Sequence, residues 1–264
     1  MKKFLFLALA ALTACTPGSH KAIILYYSQT GTTEALAQEL QRQTGADIAR
    51  FDVVEEYNGN FEQTLERCQT EKKLGFLPTL KPLDVDLDKY DMVYLCFPVW
   101  FGTYATPVKS LYREYDLSDK IIVPMCTFGS GGSISSRDRL RTAMPYTDIR
   151  YPFGIRQARI GNVAEELHRF LVEGSYIRGR KTRLPEFEEH EDFSLEDAKL
   201  FHEACDGYPF PLGEPVGARS RVTPWGTEYI YAADSVTPDG KVSHSSVYVL
   251  KQEGKSPEFT QVIR

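Results

Sequence analysis

The sequence predicts an α/β protein. A five-stranded parallel sheet, in the order 2-1-3-4-5 with helices on both faces, is followed by a small α+β unit built on an antiparallel sheet. Three observations predict it. From residue 21 to about residue 175, apolar strand-like runs alternate with helical periodicity, which implies right-handed crossovers and a parallel sheet covered on both sides. Two of these runs, 91–97 and 121–127, are almost continuously apolar, as strands buried on both faces are. Beyond Gly174 the rhythm changes to one helix and then alternating segments separated by turns. Five strands within about 150 residues fit the doubly wound order.

The elements follow in order. The first strand is 22–27 (Ala22-Ile23-Ile24-Leu25-Tyr26-Tyr27) and the first helix about 33–43, stopped by Gly45. Residues 47–53 read as the second strand. Phe61, Leu65 and Cys68 give 61–73 a helical spacing, and 75–82 is irregular. The third strand is 91–97, and the helix 107–115 carries Pro107 in its first turn. The fourth strand is 121–127, the next helix 133–143, the fifth strand 149–155 and the last helix of this unit 163–172. A charged connector, 185–192, precedes a helix at 194–205 whose Ser194 and Asp197 are spaced for a capping box. Alternating segments then fall at 217–222, 228–233, 242–250 and 259–263. Pro224-Trp225-Gly226, Pro238-Asp239-Gly240 and Glu253-Gly254-Lys255 mark the turns between them. This helix and meander resemble a cystatin-type sheet wrapped on a helix.

Composition narrows the function classes. Hydrophobic residues make up 42% and charged residues 25% of the 264, as in a globular protein with a full core. The formal charge of −5, with no basic patch, argues against nucleic acid as a partner. Lys2 and Lys3 precede an apolar run, 4–12, too short to span a membrane. The run ends in Leu12-Thr13-Ala14-Cys15, which resembles a bacterial lipoprotein signal. That resemblance implies removal of residues 1–14, acylation of Cys15, an exported protein and a stable lipid anchor, with 15–20 as a tether. Cys68, Cys96, Cys126 and Cys205 match no zinc or redox spacing and read as structural. His20, His168, His190, His202 and His244 share no ligand spacing, so no metal site is expected. The acidic run 188–192 reads as a solvated linker, and no nucleophile elbow or Ser/His/Asp arrangement is present.

The chemistry concentrates in three turns. In an open parallel sheet ligands bind beyond the carboxyl ends of the strands, at the switch point, and the expected order makes strands one, three and four neighbours. After strand one come Ser28, Gln29, Thr30, Gly31, Thr32 and Thr33, a hydroxyl-rich turn leading into a helix. Such a turn offers amides and hydroxyls to one anion, and Gly31 lets the backbone come close. It is neither a P-loop nor a dinucleotide fingerprint. After strand three come Pro98, Val99, Trp100, Phe101, Gly102, Thr103 and Tyr104. After strand four come Thr127, Phe128, Gly129, Ser130, Gly131 and Gly132. An anion cradle beside aromatic walls suits a flat ring carrying a phosphate, and FMN is the natural candidate.

The spacing Ser/Thr-x-Thr-Gly-x-Thr resembles the FMN phosphate loop of flavodoxins, and the resemblance extends over 21–175. It implies a phosphate role for residues 28–33 and a ring-contact role for residues 98–104 and 127–132. Trp100 is the expected stacking residue, with Phe101, Tyr104 and Phe128 as alternates. The chain departs from the family in lacking a tyrosine in the third loop and an acidic residue in either ring loop. It departs further in carrying an exported leader and, after a linker at 176–193, an added unit at 194–264. The expected function is electron transfer through FMN on a membrane-anchored exported protein, with a redox protein or a small electron acceptor as partner. The C-terminal unit is a candidate surface for another protein. Two rivals are a flavin-dependent reductase of a small substrate such as a quinone, and an exported binding module that has lost its flavin.

Overall fold

The computed structural model describes residues 20–58, 60–236 and 240–264. The leader, Cys15 and the rest of the tether to Ser19, and the turn residues Pro238 and Asp239 lie outside the described residues. In chain order the strands of the first unit are β1 (Ala22–Tyr26), β2 (Asp47–Arg50), β3 (Met92–Trp100), β4 (Thr103–Tyr104), β5 (Ile121–Phe128), β6 (Asp148–Ile149) and β7 (Phe153–Arg156). Its helices are α1 (Thr32–Thr44), α2 (Phe61–Leu74), α3 (Thr106–Glu114), α4 (Ser133–Ala143) and α5 (Val163–Glu173). The second unit holds β8 (Glu188–Glu189), α6 (Leu195–Cys205), β9 (Glu214–Thr223), β10 (Gly226–Val236), β11 (Val242–Lys251) and β12 (Glu258–Ile263).

The parallel sheet runs β2-β1-β3-β5-β6, with β7 also on β5, and an antiparallel sheet runs β12-β11-β10-β9-β8. The expected fold class and strand order therefore hold. The centre of the sheet shows why β3 reads as continuously apolar. Val93, Leu95 and Phe97 pack into one layer with Val108 and Leu111. Tyr94 and Cys96 pack into the other with Leu36, Leu40, Leu167 and Leu171. Each such side chain, fully buried, stabilises the fold by roughly 1.5–3 kcal/mol. A third core, around Phe201, Tyr231, Val247, Val249 and Phe259, sits between α6 and the antiparallel sheet.

Several boundaries differ from expectation, each for a physical reason. The expected second strand ends early, at Arg50, because Phe51 and Val53 turn inward and Val53 bridges to Leu80 instead. The expected third strand runs on to Trp100 and folds back as a hairpin with β4. The expected fifth strand is split into β6 and β7 around Pro152, which has no amide to give a ladder. Within the acidic connector, Glu188 and Glu189 pair with Ser220 and Arg219, adding a strand that alternation alone does not reveal. Ser194 and Asp197 form the expected capping box at the head of α6. All four cysteines from Cys68 onward are free thiols, and burial pushes the Cys96 and Cys126 thiols well up from their ordinary value. Among the described residues no helix is long and apolar enough to cross a membrane, and no cluster of potential ligands could hold a metal.

Candidate functional site

Register brings the three turns to one height. Tyr26 pairs with Cys96, Cys96 with Met125, and Pro98 with Thr127, so β1, β3 and β5 release their chains side by side. The first turn is rigid. Gly31, at φ +86°, is the N-cap of α1, and no side chain caps that helix end. The first-turn amides of α1 therefore have no partner within the helix, and Thr30 and Thr32 lie beside them at the surface. The hydroxyl of Ser28, itself buried, accepts from the Gly31 amide at 3.1 Å. The Gln29 amide donates to the Tyr57 carbonyl at 3.0 Å and to Thr64 Oγ1 at 2.9 Å. The loop's shape is thus set by Ser28 within it and by Tyr57 and Thr64 outside it, and the first-turn amides of α1 take no part in these bonds.

Charge near this turn is balanced by a residue that no motif in the sequence singles out. Arg50, at the end of β2, donates to the Ser28 carbonyl at 3.1 Å and pairs with Asp52 at 2.8 Å and Glu34 at 3.6 Å. Burial opposes its charge, yet Asp52, Tyr26 and Glu34 hold the guanidinium above its ordinary value. The Tyr26 hydroxyl donates to Glu34, and burial with Glu34 alongside pushes the Tyr26 phenol up. Glu34 is the one carboxylate in the first turn of α1. Its repulsion of an incoming anion is offset by these two partners. Arg50 could have been found from the sheet order, since β2 lies next to β1.

The second turn is a two-residue hairpin. Trp100 pairs with Thr103, and Phe101 and Gly102 both have positive φ, +52° and +81°. That geometry suits the right-handed twist of the strands, but a bulky residue at positive φ is strained. Phe101 is nearly half exposed and meets Phe61 edge-on at 5.6 Å. The Trp100 ring instead packs edge-on against Tyr27 at 5.8 Å and Tyr57 at 4.8 Å. The Tyr104 hydroxyl shares a hydrogen bond with that of Tyr112, and the Thr103 hydroxyl is buried without a partner.

The third turn ties the others together. Thr127 Oγ1 and Thr33 Oγ1, both buried, share a hydrogen bond at 2.7 Å. Phe128 is buried in the core. A side chain at Gly132 would collide with Val99, and Ser135 donates to the Gly102 carbonyl. The remaining contacts come from the second unit. The Val262 amide of β12 donates to the Ser130 carbonyl at 2.8 Å, and a Cβ on Gly131 would lie 2.2 Å from the Val262 carbonyl oxygen. Only glycine fits there.

A cleft of about 800 Å³ opens between the second and third turns and the second unit. Val99, Phe101, Gly102 and the turn from Gly129 to Gly132 form one side, and Tyr208, Phe210, Pro211 and β12 form the other. Of the four aromatics expected at a ring, Phe101 lines this cleft, whereas Trp100, Tyr104 and Phe128 pack behind it. The contribution of the second unit to the cleft has no signal in the sequence. No local pattern tells which face of the antiparallel sheet docks or where.

The family model described as Flavodoxin matches residues 21–155. None of the curated proteins matches the chain. Among solved structures, the chain is similar to a candidate flavoprotein from Bacteroides eggerthii, at 21% identity and a TM-score of 0.50, over 61% of this chain and 100% of that one. It is similarly related to a candidate flavoprotein from Bacteroides uniformis, at 22% identity and a TM-score of 0.50, over 57% and 99%. A flavoprotein from Lactobacillus acidophilus, solved in complex with FMN, matches at 20% identity and a TM-score of 0.44, over 55% and 99%. These proteins are spanned almost end to end, so this chain carries residues beyond them.

Gly31 tests the rigidity of the first turn. Nothing lies within 4 Å of a Cβ built there, so Gly31→Ala exposes the conformational term alone. That substitution should lower stability by roughly 1–2 kcal/mol, the cost of a left-handed backbone for an L residue. Urea denaturation should show it as a lower midpoint at unchanged slope. An unchanged midpoint would mean that the turn relaxes out of the left-handed region.

Proposed function

The chain belongs to the flavodoxin family, whose cofactor is FMN, and we propose that it is an exported, membrane-anchored flavoprotein that moves electrons. The observation that carries the reading is the pairing of an uncapped, hydroxyl-flanked α1 terminus with an aromatic-lined cleft on the neighbouring strand ends. The neutral donor set of the first turn, amides plus hydroxyls, suits the phosphate of FMN. Ser28, Gln29, Thr30, Gly31, Thr32 and Thr33 would hold the phosphate. Residues 98–104 and 127–132 would hold the ring. When bound, the flavin supplies the capacity to accept and release electrons. The work of the chain is to orient it and to exclude water.

Within the ring loops, Phe101 lines the cleft, and Trp100, the expected stacking residue, packs behind it. Its indole closes the hairpin against Tyr27 and Tyr57, which fixes an aromatic plane beside the first turn. Phe101, strained and facing the cleft, is the other aromatic in reach. Burial pushes both tyrosine partners up, Tyr57 further because Glu71 accepts from its hydroxyl.

The anchor rests on sequence. Lys2, Lys3, the apolar run and Cys15 support an acylated amino terminus that keeps the flavin domain on a membrane surface, with either a protein or a small molecule as redox partner.

Two experiments test this reading. A hydrogen bond to a charged group contributes about 1.5–3 kcal/mol, and each 1.4 kcal/mol is tenfold in affinity. Thr30→Ala should therefore weaken FMN by roughly ten- to a hundredfold in a fluorescence titration, while riboflavin, which lacks the phosphate, hardly responds. Equal losses for the two would remove the phosphate role. Cys15→Ser should shift the protein from the membrane to the soluble fraction with its fold intact, and unchanged partition would remove the lipid anchor.

A further inference from the structure

No Ser/His/Asp arrangement is expected from the sequence, yet the fold assembles one in the second unit, outside the cleft. His190 directly follows β8, Asp197 stands in the first turn of α6, and Ser220 lies on β9. His190 Nδ1 meets Asp197 Oδ1 at 2.9 Å, and His190 Nε2 meets Ser220 Oγ at 2.9 Å. Asp197 is seven residues from His190 and Ser220 thirty. Only the pairing of β8 with β9 and the packing of α6 on β9 bring the three together.

The chemistry of the groups assigns the protons. A carboxylate accepts and cannot donate, so a neutral His190 ring carries its proton on Nδ1, toward Asp197. Nε2 is then an acceptor, and the Ser220 hydroxyl donates to it. The carboxylate is itself held in place. The Ser194 amide and hydroxyl donate to Asp197 Oδ2 at 3.0 and 2.7 Å, which leaves Oδ1 for the ring. Burial opposes its charge, yet the Ser194 and His190 bonds hold the Asp197 carboxyl below its ordinary value. The histidine is fixed from two further sides. Its amide donates to the Ala218 carbonyl at 3.0 Å, and Tyr229 lies edge-on to the imidazole at 6.2 Å. A nucleophile, a base and a group that orients the base are therefore in register. The His190 side chain is a quarter exposed and Ser220 half-buried, so a small molecule reaches both. The exposed carboxylates Glu188, Glu191 and Asp192 flank His190 in the chain, and they disfavour an anionic substrate.

We propose that Ser220 is a base-activated nucleophile and that the second unit hydrolyses small uncharged carboxylic esters. In the first step Ser220 Oγ bonds to the ester carbonyl carbon as its proton passes to His190 Nε2. The bond from that carbon to the alcohol oxygen breaks, and the leaving alcohol takes the proton from Nε2. Water then attacks the acyl group on Ser220, giving a proton to Nε2. The acid leaves, and that proton returns to Ser220 Oγ. Asp197 is a positioning residue that keeps the imidazole in the tautomer these transfers need.

The test treats the full chain with diisopropyl fluorophosphate, which bonds through phosphorus to an activated serine and releases fluoride with the serine proton. Peptide mapping should place the adduct on Ser220. It should form there roughly a hundredfold or more faster than on the other serines, since a positioned general base contributes about 10²–10⁴-fold. Ser220→Ala removes one oxygen from a half-buried strand position, so it should fold, and it should lose both the adduct and the hydrolysis of p-nitrophenyl acetate. His190→Gln should slow labelling by about the same factor with an unchanged circular dichroism spectrum. Asp197→Asn should lower the maximal labelling rate and leave the half-saturating reagent concentration unchanged, a split that loosened structure alone would not give. A wild type labelled at Ser220 no faster than at its other serines would overturn the proposal, as would ester hydrolysis that persists undiminished in Ser220→Ala. The FMN reading uses none of these residues and stands or falls separately.

Discussion

The position of β3 between β1 and β5 is the constraint on which the site depends. Its side chains alternate between two fully buried layers. A slip of one residue would carry Val93, Leu95 and Phe97 to the wrong layer and Tyr94 and Cys96 to the other. The register is therefore fixed by burial on both faces. With it fixed, the pairs Tyr26 with Cys96 and Pro98 with Thr127 deliver three turns to one edge. The bond between Thr33 and Thr127 then spans that edge and joins the first turn to the third. The core comes first in this chain of causes, and the site is its consequence.

A second constraint acts at the seam between the two sheets. Gly131 has no room for a side chain because the Val262 carbonyl stands over it, and the same strand supplies the amide that engages Ser130. The third turn therefore takes its shape from both units. Burial without a carboxylate partner lowers the Arg156 guanidinium from its ordinary value. Its partners are instead carbonyl oxygens and aromatic faces. That environment holds a cation by directed hydrogen bonds and ring quadrupoles, which favours one docking geometry over a sliding contact. Loop and wall form a single structural unit.

How much of this was legible in the sequence follows from the range of each interaction. The turn at residues 28–33, the buried strands and the capping box at Ser194 are written in short stretches, so the lead into α1, the buried layers and the cap were legible as structure. The hairpin at Phe101 was not, because a phenylalanine at positive φ contradicts the local preference and is held there by packing. Arg50 was missed because its role depends on a neighbouring strand. The split of the fifth strand hinged on one proline within a weak pattern. The wall made by Tyr208, Phe210 and β12 lies more than seventy residues from the loops it covers, and docking between units leaves no period to detect. Trp100 was singled out as the aromatic of its loop, and the structure sets Phe101 beside it as the residue that lines the cleft.

The central claim is that FMN occupies the three-loop edge, and an absorbance spectrum of the purified full chain tests it most directly. The account predicts a yellow protein with the two visible bands of oxidised flavin, bleached by dithionite, whose released cofactor is FMN at one per chain. A colourless protein that also fails to quench the fluorescence of added FMN would contradict it. The fold would then be that of a binding module without its flavin.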